Sequence, residues 1–391
     1  MKGLGIYIHI PFCISKCNYC DFYSLASQDE EVKEKYINAL EKHMQEYKIQ
    51  AKNYIVSSVY IGGGTPSLLD EKQLKRIMRA VKKNFRLSSR CEISMEVNPG
   101  TVDEKKLFAI RKLGINRLSI GAQSFDDAEL KTCGRRHNSK DIFGCIIAAR
   151  KAKIDNVSVD LIYGLPGQTK EKIFYNLDAA FKMNVDHISL YGLKVEEGTP
   201  FWYDRHNLEF PDEDCEREMY FDAVEILKHN GFRQYEISNF AKSKKACKHN
   251  LRYWNCDEYL GFGPAAHSYF GGKRFSFKRN LKLYIDSFDN TKRVTETLLD
   301  EYVDIPPQAR IAEYVMLRFR LCEGLNLVKF KKRFGRSFEA LYYEKMWPYI
   351  NSGHIVKTKT GYAFSLEGMY VSNYILSRIV GGDLIIPGSN S

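Results

Sequence analysis

Three cysteines, Cys13, Cys17 and Cys20, stand in a C-x-x-x-C-x-x-C spacing inside the stretch Tyr7 to Tyr23. Three thiolates on one short loop suit either zinc or an iron–sulfur cluster. Structural zinc takes four ligands, usually from two paired knuckles. The sequence has no second C-x-x-C and no histidine at knuckle spacing from these three. A [4Fe–4S] cluster is ordinarily held by four thiolates. Three leave one iron open, and an open iron can chelate an outside molecule and pass it an electron.

The elements around the loop have to hold it at a strand end. Gly5 to Ile10 alternates β-branched and aromatic residues and reads as a strand. Pro11 has no N–H for a ladder and stops it. Glu30 to Tyr47 then carries a helical apolar face. Ser58 to Ile61 reads as a buried strand running into Gly62-Gly63-Gly64-Thr65-Pro66-Ser67, where glycines let a backbone approach a ligand. The rhythm repeats. Strands Cys91–Val97, Arg117–Ile120, Val157–Tyr163 and His187–Leu193 alternate with helices, two of which start at the N-caps Asp70 and Asp103. The strands end in EVNPG, GAQSF and GLPGQ, whereas the helix-to-strand loops are bland. Six β-then-α units imply a parallel sheet with helices outside and one functional rim at the strands' C-terminal ends. The expected architecture is an incomplete (βα)6 parallel barrel, open at the side. A smaller α-rich domain with a hairpin turning at Gly361 completes it. The expected division is 1–295 and 296–391, with Pro306-Pro307 closing a polar connecting region.

Composition narrows the class. The chain has 391 residues, 44% hydrophobic and 27% charged, as in a globular protein. No apolar run approaches the ~20 residues that span a bilayer. No signal-peptide pattern opens it, so a cytoplasmic location is expected. Ten cysteines are then not a disulfide framework, and the seven outside the loop read as small buried hydrophobes. The net charge of +11 is diffuse. Its densest run, Lys329 to Arg336, reads as a solvated face, so no nucleic-acid partner is expected.

C-x-x-x-C-x-x-C after a strand, with Tyr19 just before the last cysteine, resembles the radical S-adenosylmethionine (SAM) superfamily. Y-x-H-I-P before Cys13, GGGTPS, EVNPG, GAQSF and DLIYGLPGQ resemble its oxygen-independent coproporphyrinogen III oxidase branch. The resemblance implies a [4Fe–4S] cluster on Cys13, Cys17 and Cys20, with SAM on the open iron and a reductant for the cluster. It implies a SAM site lined by Tyr7, Tyr19, Gly63, Gly64 and Thr65, with Glu96 holding polar groups of SAM. Gln123, Arg135 and Asp160 match positions that contact a second SAM in the oxidase.

Two departures point away from the oxidase itself. Phe22 stands where the oxidases carry a further cysteine, and Asp21 where they carry glycine. His249-Asn250-Leu251-Arg252-Tyr253-Trp254 adds an H-N-x-x-Y-W signature. Both features resemble the haem-chaperone members of this branch. That resemblance implies haem as cargo, haem-accepting respiratory proteins as partners, and peripheral contact with membrane haem proteins. Haem needs an axial ligand, a flat apolar slot and cations for its propionates. His249, Tyr253, Trp254 and His267 are the residues expected to supply the ligand and slot. The rival reading is radical decarboxylation of coproporphyrinogen III to protoporphyrinogen IX. A third, action on RNA, rests only on the basic charge.

Overall fold

A computed structural model describes residues 1–26, 29–290 and 295–383. Its main sheet has twelve strands among the described residues. They are β1 Lys2–Ile10, β2 Tyr54–Gly63, β3 Leu87–Val97, β4 Arg117–Gln123, β5 Asn156–Tyr163, β6 His187–Gly192, β7 Arg233–Glu236, β8 Asn239–Ala241, β9 Tyr259–Phe262, β10 His267–Phe270, β11 Lys273–Phe277 and β12 Leu299–Asp304. The spatial order is β12-β11-β10-β9-β1-β2-β3-β4-β5-β6-β8-β7. From β1 to β6 all neighbours are parallel, as the βα rhythm requires. The order has two ends, so the barrel does not close.

The sheet is wider than the sequence suggests. β9 pairs parallel with β1, from Gly5 opposite Tyr259 to Ile8 opposite Phe262. It is thus a seventh parallel strand, drawn from a segment with no obvious period. β10, β11 and β12 extend it as an antiparallel arm. The expected 295/296 division directly follows the undescribed residues 291–294. The sheet runs past it to Asp304, and a second apolar cluster begins at Ile311.

Helices cover the sheet through amphipathic faces. The helix Glu71–Asn84 starts in a capping box between Asp70 and Gln73. It buries Leu74, Ile77, Met78 and Val81 against the strands, each worth about 1.5–3 kcal/mol. Beyond Pro306, helices Pro307–Phe319, Leu327–Phe334, Phe338–Asn351 and Ser372–Val380 enclose the second core around Phe319, Phe330, Phe338 and Met346. The small hairpin runs Ile355–Lys357 to Gly361–Phe364, so Gly361 opens its second strand instead of forming the turn. Lys329, Lys331, Lys332, Arg333 and Arg336 are exposed around a buried Phe330, so the basic run is a solvated face. No described helix is long and apolar enough to cross a membrane.

Candidate functional site

The cysteine loop is fastened at both ends. Phe12–Cys13 pairs with Leu25–Ala26, and the Leu25 N–H donates to Pro11 O at 2.7 Å. Midway, Asn18 donates from its backbone to Cys133 O (3.0 Å) and from its side chain to Thr132 O (2.8 Å). The GGGTP turn lies against the loop's root. Gly64 N donates to Ile10 O at 2.8 Å and Thr65 N to Phe12 O at 2.7 Å. A Cβ on Gly64 would sit 2.7 Å from Phe12 O and 3.1 Å from Cys13 Sγ. This close approach admits only glycine.

Cys13, Cys17 and Cys20 are partly exposed and line one cavity of about 440 Å³ with Tyr19, Gly63, Gly64, Thr65, Glu96, Gln123, Arg135 and Asp160. The strand ends thus bring together all but one of the residues expected at the cluster and SAM. The exception is Tyr7. Its ring stacks on Tyr60, its hydroxyl lies 3.0 Å from His9 Nδ1, and it faces a neighbouring cleft. Asn98 and Arg117 are among the cavity residues that escaped the sequence reading. Asn98 donates to Thr65 Oγ1 (2.9 Å) and accepts from Arg135 (2.8 Å). Arg117, at the start of β4, is buried, with Nε and one terminal nitrogen lacking any protein partner. The EVNPG motif contained the signal for Asn98. Arg117 gave none, because a lone arginine at a strand start reads as surface.

The cavity chemistry fits an anionic, thiolate-held cluster and a zwitterionic ligand. Among the described residues no three His, Cys, Asp or Glu side chains converge as they would round a single ion. Thiolates on a four-iron cluster each take a separate iron, so convergence is not required of them. An Arg135 terminal nitrogen donates to Cys17 Sγ at 3.3 Å. Burial, helped by the nearby Cys17 and Cys13, pushes the Cys20 thiol up to about 11. Orphaned buried atoms face the same space: Gln123 Oε1, on a residue with φ +64°, and Arg135 Nε. Glu96 accepts from Gly63 N (2.9 Å) and Tyr60 Oη (3.0 Å), and burial raises its carboxyl to about 7. Asp160 accepts from Ser119 Oγ (3.1 Å), and burial raises it too.

A second cleft, of about 650 Å³, lies on the other side of the loop and shares Asp21 and Phe22 with the first. It is lined by Tyr7, Tyr23, Tyr253, Tyr259, Tyr269 and Phe277, with His267, Arg274 and Arg279 among the polar groups. The haem residues expected from sequence separate here. Tyr253 and His267 face this cleft, whereas His249 and Trp254 do not. His249 is buried, with Nδ1 3.0 Å from Ser58 Oγ and Nε2 2.8 Å from Tyr253 Oη. Both nitrogens are committed, which argues against His249 as an iron ligand. Its helix, Lys248–Trp254, plugs the barrel floor. Glu92 of β3 accepts from the Lys248 and His249 N–H groups, and Arg252 donates to Ser57 and to Glu258 O. Trp254 lies under Arg320, its Nε1 buried without a partner.

The profile of the Radical SAM superfamily matches residues 7–179, and that of the HemN C-terminal domain matches residues 305–371. The chain is 34% identical to the heme chaperone HemW of Bacillus subtilis, over 96% of this chain and 98% of that one. It is 31% identical to the heme chaperone HemW of Lactococcus lactis, over 98% and 99%. The HemW of Escherichia coli is 34% identical over 84% and 86%. Among solved structures, coproporphyrinogen III oxidase (HemN) of Escherichia coli superposes with a TM-score of 0.85 at 22% identity. The match covers 97% of this chain and 90% of that one, so the two share a fold. Relatives this similar over nearly the whole length place the chain: it belongs to the HemW family within the radical SAM superfamily.

Proposed function

We propose that this chain is a haem chaperone, which binds haem and delivers it to haem-dependent, respiratory proteins. One observation carries the reading: a large cleft with aromatic walls, two arginines, two histidines and five carboxylates lies directly against the cysteine loop, separate from the cofactor cavity. Its volume suits a small-molecule ligand, and its tyrosine and phenylalanine walls suit a flat apolar one.

Membership of the superfamily implies a [4Fe–4S] cluster and SAM. In this reading Cys13, Cys17 and Cys20 hold the cluster, and Arg135 donates to the Cys17 sulfur. Gly63, Gly64 and Thr65 offer backbone and hydroxyl to SAM along one wall. Glu96, Gln123, Arg135 and Asp160 take its polar groups, and Tyr19 closes the side. When bound, the cluster supplies one-electron chemistry at an iron that no cysteine of the loop occupies. Asp21 and Phe22 wall both cavities.

The test is spectroscopic. Anaerobically reconstituted protein, titrated with haem, acquires a saturable Soret band and leaves coproporphyrinogen III unchanged. Conversion of coproporphyrinogen III to protoporphyrinogen IX with consumption of SAM would replace this reading with the oxidase. Replacing Cys13, Cys17 and Cys20 together by alanine removes the broad brown absorbance of the cluster; if it stays, the ligand assignment is wrong.

A further inference from the structure

We infer that His267 is the axial ligand of the haem iron, held by β10 at the wall of the aromatic cleft, and that the H-N-x-x-Y-W histidine is not. The inference rests on the haem-chaperone reading and names the residue that would carry it.

An axial ligand needs a ring nitrogen free of protein partners and facing the ligand space. Two histidines line the cleft, His9 and His267. His9 is spent: its Nδ1 lies 3.0 Å from Tyr7 Oη and its Nε2 2.8 Å from Tyr23 O. His249 lies behind Tyr253 with both nitrogens bonded. His267 is exposed into the cleft, and no side-chain hydrogen bond of its own is found among the described residues. Two other donors of the cleft compete poorly, because burial pushes the Cys256 thiol up to about 11 and the Tyr253 phenol well above its usual value.

The backbone places His267 deliberately. The turn before it, Gly263 to Ala266, is pinned to the loop side of the barrel. A Cβ on Gly263 would lie 2.8 Å from His9 O, and Ala265 N donates to Phe277 O at 3.0 Å. Ala265 itself sits at φ +61°, a left-handed conformation that a non-glycine residue adopts at a cost. β10 then pairs His267 with Ser276, which fixes the ring's side of the sheet. Across the cleft stand Tyr7, Phe22 and Tyr23, with Phe22 exposed. Arg279 bridges the two walls by donating to Asp21 O at 3.0 Å and leaves further N–H groups for a carboxylate.

Haem titration of the full-length, cluster-loaded protein tests this, with wild type beside His267→Ala and His267→Met. Loss of the imidazole is expected to weaken haem binding by at least about tenfold. Added imidazole restores the wild-type Soret position in His267→Ala. His267→Met is expected to shift the Soret band and the electron paramagnetic resonance of ferric haem to those of a thioether-ligated iron. The cluster absorbance, unchanged in both variants, reports that they fold. Wild-type affinity and spectra in both variants overturn the ligand assignment while leaving the chaperone reading in place. A wild-type protein that takes up no haem overturns both.

Discussion

A histidine with both ring nitrogens bonded inside the protein is a structural brace, and His249 is one. Its partners, Ser58 and Tyr253, lie 191 and 4 residues away, so the motif was legible in the sequence but its use was not. Burial holds its imidazole down at about 3, neutral at any working pH. His249→Ala strands two buried hydroxyl groups, each costing about 1–3 kcal/mol. The expected loss in urea-unfolding stability is about 2–6 kcal/mol, while the Soret position of bound haem stays where it is in wild type. A shifted Soret at normal stability would contradict this. The three loop cysteines are the opposite case. Their spacing alone named the chemistry, because it is set within eight residues of chain. Tyr7 came to the SAM set through the family resemblance; its ring lines the neighbouring cleft and stacks on Tyr60, which lines the cofactor cavity.

At the scale of elements, the βα rhythm was readable because each strand and helix carries its own period and cap. β9 was not readable. Four residues, Tyr259 to Phe262, make too short a run to show alternation, and their partner β1 lies some 250 residues earlier. The antiparallel arm that lines the aromatic cleft follows from β9, so the cleft was invisible with it. The GGGTP turn makes an element-scale prediction. Gly64→Ala puts a methyl against Phe12 O and Cys13 Sγ, and overpacking of this kind costs about 1–3 kcal/mol. The strain falls on the loop root and on Ile10 O at the end of β1. The variant is therefore expected to melt below wild type as apoprotein and to lose most of its iron and sulfide on reconstitution. Wild-type cluster content would show that the turn does not position Cys13.

At the scale of the molecule, the barrel and the C-terminal helices meet through buried polar groups. Arg318 donates to Asn255, Glu323 and Gly324 O, tying the Pro307–Phe319 helix to the end of the H-N-x-x-Y-W helix. Glu236, at the end of β7, bridges to Leu321 and accepts from Asn239. Burial raises its carboxyl to about 7. The folded state thus holds a proton that the unfolded state releases near pH 4.5. The neutral group's contribution is present below that range and is lost as pH rises through about 7. Glu236→Gln is expected to match wild type near pH 4.5 and to exceed it by on the order of 3 kcal/mol above pH 7. A pH-independent difference in melting temperature would contradict this. Sequence composition could mark the polar stretch before Pro306-Pro307 but not that a strand crosses it, because β12 earns its place only by pairing with β11.

The most direct test of the central claim is haem transfer. The cluster-loaded protein is charged with haem, mixed with the apo form of a haem protein, and followed by the Soret bands of both. The account predicts that the donor's band falls as the acceptor's rises, with coproporphyrinogen III untouched in a parallel assay. A protein that takes up no haem, or that holds haem without yielding it while decarboxylating coproporphyrinogen III, would contradict it.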